Sequence, residues 1–152
     1  MSPASAPAND DFDAATVIGS FPFDTVVDAS QATVAADDPD MACGDGVNQR
    51  TLWYRLVAPS DGSLTLDTVG SHDDTVVAVW QGSRGSLAGR GCNDDGAYWS
   101  ETSGLNVTVQ AGQTYTVERL RRARRWTMER WRCGRASTRA ATQPTKRRST
   151  RS

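Results

Sequence analysis

The chain has 152 residues, 38% hydrophobic and 23% charged, which suits one domain with one modest core. Its net charge of −1 hides an uneven split: residues 1–118 carry 17 acidic and 4 basic side chains, and residues 119–152 carry 13 basic and 1 acidic. No apolar run approaches the ~20 residues of a membrane-crossing helix, and with His72 as the lone histidine no cysteine spacing fits a zinc site.

Residues 1–8 are small and Pro-containing. They have neither the basic start nor the apolar centre of a secretory leader, and read as a linker inside a longer secreted precursor. Asn9-Asp10-Asp11-Phe12 opens the ordered part, anchored by Phe12. Residues 15–18 form a short apolar patch, 22–27 a strand and 30–34 a weaker strand. A turn at Asp37-Asp38-Pro39-Asp40 and a polar loop over 43–49 lead to residues 51–59, the best strand in the chain. Leu52, Tyr54 and Leu56 point one way and Trp53, Arg55 and Val57 the other, so this strand belongs in mid-sheet.

Period-two alternation continues through 63–69 and 74–80, as half-buried strands require. A Gly-rich turn over 81–85, a short strand over 86–92 and a strong turn signal at Asn93-Asp94-Asp95-Gly96 follow. Residues 104–109 and 114–117, joined by Ala111-Gly112-Gln113, read as a hairpin. No segment of the body shows a convincing helical period. Strands of about six residues between closely spaced turns predict an all-β, antiparallel β-sandwich over residues 9–118.

Two of the three cysteines, Cys43 and Cys92, lie in the acidic body, and they suit one disulfide in an oxidising compartment. Catalysis finds little support. His72 lies in a polar Gly-Ser-His-Asp-Asp turn, no Gly-x-Ser-x-Gly elbow is present, and a small sandwich offers little cleft for a pair of catalytic acids. The expectation is no enzyme and no catalytic residue.

The body resembles the bacterial pre-peptidase C-terminal domain. The residues that carry the resemblance are Asn9-Asp-Asp-Phe12, Thr51-Leu-Trp-Tyr-Arg-Leu-Val-Ala-Pro59, Asp61-Gly-Ser-Leu-Thr-Leu-Asp-Thr68, Asp74-Thr-Val-Val-Ala-Val-Trp80, Gly85-Ser-Leu87, Cys92-Asn-Asp-Asp95 and Ala111-Gly-Gln-Thr-Tyr-Thr-Val117. They follow the family's order over nearly all of residues 9–118. The resemblance implies a jelly roll, and an extracellular, non-catalytic module accessory to a secreted hydrolase or peptidase. Such modules assist export or hold the enzyme near a surface or an insoluble polymer such as collagen or polysaccharide. Two departures stand out: some members have further cysteines near the positions of Val69 and Arg84, and the family's final strand is missing here.

Collagen-binding relatives also bind calcium, partly through their N-terminal stretch. Asn9, Asp10, Asp11, Asp37, Asp38 and Asp40 offer the hard oxygens that calcium prefers, in two loops that a jelly roll could bring together. For a polymer, the candidate contacts are Tyr98, Trp99 and Tyr115, since aromatic rings beside turns and edges grip extended chains. Trp80 follows a strongly apolar strand and reads as packing.

Beyond residue 118 the composition changes abruptly: residues 119–152 contain no Val, Ile, Phe or Tyr and many Arg. One reading is a tail that binds nucleic acid or another anionic partner, with Trp126 and Trp131 as stacking groups. Another is a disordered, solvated tail. The favoured one is a slipped reading frame. With CGN codons for Arg, the codons of Arg125-Trp-Thr-Met-Glu-Arg-Trp-Arg-Cys133, read from each third base, give (Leu/Met/Val)-Asp-(Asp/Asn/His/Tyr)-Gly-(Thr/Ala)-(Leu/Met/Val)-Ala-(Leu/Met/Val). That is a turn and an alternating strand, the ending that the family has. Nucleic acid is therefore not the expected partner.

Overall fold

The computed structural model describes residues 3–43, 50–69, 71, 74–94, 103–121 and 129–133. Among the described residues it is all-β apart from one short 3-10 turn at Phe12–Ala14. The strands are β1 (Thr16–Ile18), β2 (Phe23–Val27), β3 (Leu52–Val57), β4 (Gly62–Asp67), β5 (Thr75–Gln81), β6 (Ala88–Asn93), β7 (Gly104–Val109), β8 (Thr114–Arg121) and β9 (Glu129–Cys133). They form two sheets, ordered β1-β3-β8-β5-β6 and β2-β9-β4-β7.

The expected central strand, β3, lies inside the first sheet, antiparallel to β8 and parallel to β1. Its period-two pattern feeds two cores. Leu52, Tyr54 and Leu56 face inward and pack with Val77, Val79, Tyr115 and Val117 against Leu64, Leu66, Val107 and Val109 of the second sheet. Each large aliphatic side chain buried this way contributes about 1.5–3 kcal/mol. On the other face Trp53 joins Phe12, Met41, Val76, Ala78 and Trp80 in a second cluster. The N-terminal segment covers this face: the Phe12 ring meets Trp53 edge-on at 5.2 Å, and the Arg55 guanidinium lies 5.3 Å from the Phe12 ring centre. Phe12 is thus the anchor its position suggested. The disulfide joins Cys43 to Cys92 with Cα atoms 5.8 Å apart, both half-buried against the same cluster.

Several local expectations change. Residues 74–80 looked half-buried, yet β5 is buried on both faces from Thr75 to Trp80, because the second cluster covers its outer side. Residues 30–34 form no strand. The Asp28 carboxylate accepts from the Ser30 amide, Ala32 N–H donates to the Ala29 carbonyl, and Asp10, distant in sequence, takes the Thr33 amide, so turn and side-chain bonds replace a ladder. The apolar patch at 15–18 supplies β1 instead, and its parallel pairing makes the first sheet mixed.

The expected hairpin over 104–117 is a connection between layers. β7 pairs with β4 in one sheet, and β8 pairs with β3 and β5 in the other. Val107 and Val109 face Tyr115 and Val117 across the core, which two laddered neighbours in one sheet could not do. The turn is held by Gly112, with φ +75°, and by Gln110 N–H, which donates to the Tyr115 hydroxyl at 3.0 Å.

A strand runs past residue 118, where the domain was expected to end. β8 continues to Arg121, and Glu118 and Arg119 are buried. The closing strand, expected to be missing, has an occupant: β9 pairs antiparallel with β2 from Phe23↔Cys133 to Val27↔Glu129, and with β4 at Leu66↔Cys133 and Asp67↔Arg132. Backbone N–H and C=O groups require a partner whatever side chains that partner carries, so composition alone does not exclude a strand there. The rest of the expected disordered tail, residues 122–128 and 134–152, lies outside the described residues.

Candidate functional site

The acidic residues picked out in the sequence gather around one basic side chain. Arg84 sits in the turn between β5 and β6. Gly82, with φ +120°, shapes that turn, and an added Cβ there would lie 2.6 Å from the Ser86 carbonyl oxygen. The turn carries Arg84 to the N-terminal segment and the 37–40 turn. Its Nη1 donates to Asp11 Oδ1 and to Asp13 Oδ2, each at 2.9 Å. Its Nε donates to Asp37 Oδ2 at 2.5 Å and its Nη2 to Asp37 Oδ1 at 2.8 Å, a bidentate grip.

Asp11 also starts the short 3-10 turn, where its Oδ1 accepts from the Asp13 amide at 2.9 Å. That amide bond, and next the Arg84 guanidinium, hold the Asp11 carboxyl below its ordinary value. The hydrogen bond from Arg84 does the same for Asp37. Arg84 itself is held firmly protonated by Asp37 and Asp11.

Of the other four predicted metal donors, three are engaged elsewhere. Asn9 is buried and grips Trp53 twice: its carbonyl accepts from the Trp53 amide at 2.9 Å, and its Nδ2 donates to the Trp53 carbonyl at 3.0 Å. Asp10 accepts from the Thr33 amide at 2.5 Å and the Thr33 hydroxyl at 2.7 Å. Asp38 accepts from the Ala35 amide at 3.0 Å and the Thr51 hydroxyl at 2.9 Å, and its burial raises the carboxyl's pKa. Asp40 is exposed.

Tyr98 and Trp99 lie outside the described residues. Tyr115, read as a ligand contact, is instead a core residue at 3% exposure, its hydroxyl occupied by Gln110. The cause is register: Tyr115 and Val117 share the inward face of β8. Trp80 is packing, as expected, but it also donates through Nε1 to Glu118 Oε2 at 2.9 Å.

Sequence reading missed Glu118 altogether, because it stands at the abrupt change in composition. It is fully buried on the outer face of β8, opposite Trp53 and Ala78. Burial, foremost, pushes its carboxyl up to about 8; the bond from Trp80 pulls it down, and Asp38 and Asp40 add to the rise. Its Oε1 and the Trp53 Nε1 find no hydrogen-bond partner among the described residues. Continuing the alternation of 114–117 by one residue would have placed Glu118 beside Thr116 on the outer face.

Three buried hydroxyls were also missed. Thr68 Oγ1 and Thr75 Oγ1 lie 2.6 Å apart, and both accept from the Ser103 amide, at 2.8 and 3.1 Å. The single Ser103 hydroxyl proton is shared between the Thr75 carbonyl and, at 2.6 Å, the Asp94 carbonyl. This network satisfies its own members and ties the start of β5 to the start of β7.

The fold and this geometry define an all-β, disulfide-linked sandwich with an ion-paired N-terminal strap. Among the described residues, no helix is long and apolar enough to cross a membrane. No protein-family model matches the chain, and no curated protein matches it.

Proposed function

We propose that this chain is a non-catalytic, extracellular accessory module, which assists export of an attached hydrolase, a peptidase foremost, or holds it on a surface or insoluble polymer. The carrying observation is the disulfide-stapled two-sheet body, which suits an oxidising compartment. The ordered motifs over residues 9–118 add the resemblance to the pre-peptidase C-terminal domain and its jelly roll.

The second sheet offers a broad binding face. Ser63, Thr65, Asn106 and Thr108 occupy its outward positions on β4 and β7, and the Ser63 hydroxyl donates to Asn106 Oδ1. A face of hydroxyls and amides suits a hydrated polymer.

Co-sedimentation of the purified chain with insoluble collagen, cellulose and chitin tests the reading. Retention by at least one polymer, lost on Thr65→Lys/Thr108→Lys substitution, is expected. A chain that stays in every supernatant, and does not raise secretion of a fused peptidase, refutes it. Retention on heparin or DNA alone, abolished by deleting residues 134–152, would favour the anionic-partner reading. The slipped frame belongs to the same proposal, and the nucleotide sequence around codons 115–150 decides it.

A further inference from the structure

The resemblance to calcium-binding relatives raises the expectation of a metal at the N-terminal carboxylates, and the residues do not fit one as they stand. Calcium takes six to eight oxygens. Asn9, Asp10 and Asp38 direct polar atoms to Trp53, Thr33, Ala35 and Thr51. The carboxylates that do converge, Asp11, Asp13 and Asp37, converge on Arg84. We propose that the Arg84 guanidinium is the resident cation of this cradle, taking the place of a divalent ion and tying the N-terminal segment and the 37–40 turn to the β5–β6 turn without metal.

The chemistry favours this occupant. Three carboxylates from two segments would repel one another with no positive charge between them. A guanidinium is always charged, and its planar fork of donors matches carboxylate oxygens two at a time. Here Nε, Nη1 and Nη2 are all engaged, Asp37 taking two of them. The glycine requirement at residue 82 gives the turn the shape that delivers this side chain. The cradle matters to the fold because Asp11 and Asp13 flank Phe12, which covers Trp53.

The test is thermal melting of the full chain in EDTA and in millimolar calcium, with calorimetric titration by calcium alone. The parent is expected to melt at one temperature in both buffers and to give no saturable heat. Arg84→Met should melt lower in EDTA, by about 4 °C, and recover part of the loss in calcium as the ion enters the vacated cradle. Arg84→Lys keeps the charge and should stay insensitive to calcium. A parent that melts lower in EDTA than in calcium overturns the assignment, as does a folded Arg84→Met variant whose melting ignores calcium. Should Arg84→Met not fold, the two parent measurements still decide. The readout is melting, so it stands or falls separately from polymer binding.

Discussion

Replacing Glu118 with Gln should change how the protein responds to pH. The carboxyl is fully buried, accepts from Trp80 at 2.9 Å, and is pushed to about 8 from an ordinary 4.5. Between those values the folded chain holds a proton there that the unfolded chain has lost. Linkage then makes stability fall as pH rises: the contribution is complete below 4.5, declines through the window, and is gone above about 8. At about 1.36 kcal/mol for each pH unit, the site removes on the order of 5 kcal/mol across the window. That is a large part of a typical stability of ~5–15 kcal/mol. Glutamine keeps the shape and an acceptor for the Trp80 indole but does not titrate. Urea unfolding of both proteins at several pH values from 5 to 8 gives the difference directly. The stability of Glu118→Gln relative to the parent should climb steadily with pH. Parallel curves would show that Glu118 is either ionised when folded or not buried, and would refute the reasoning.

The disulfide closes a segment with a sequence separation of 49, so reduction or Cys43→Ser/Cys92→Ser should cost about 4 kcal/mol in the chain-entropy account, read as a lower urea midpoint. Asn9→Ala removes the side-chain bond to the buried Trp53 carbonyl and should cost about 1–2 kcal/mol, accompanied by a shift in tryptophan emission as the strap loosens. Gly82→Ala meets both a φ of +120° and the Ser86 carbonyl, and should cost about 1–3 kcal/mol in the same unfolding assay.

Much of the fold was legible because it is written locally. Alternation over 51–59 yielded β3, both its faces and its interior place, and Phe12 stood out as the one large apolar side chain in a polar stretch. The site was legible only in composition. Asp11 and Asp37 were singled out, yet Asp13 and Arg84 were not, because nothing local says that a turn 47 residues beyond Asp37 returns to it. The same limit misread Tyr115, whose facing depends on which sheet β8 joins.

What the sequence determined by itself was the all-β class and the span of most strands, and it pointed to Cys43 with Cys92, since these follow from residue period, turn chemistry and the place of two cysteines in the acidic body. Tertiary structure alone decided that 104–117 bridges two layers, that β1 completes a sheet edge, that β9 lies between β2 and β4, that Glu118 is buried, and that an arginine holds the acidic cradle. Each of those depends on contacts between segments far apart in the chain. Local preference sets whether a segment is extended; the burial and hydrogen bonding of the whole determine what lies beside it.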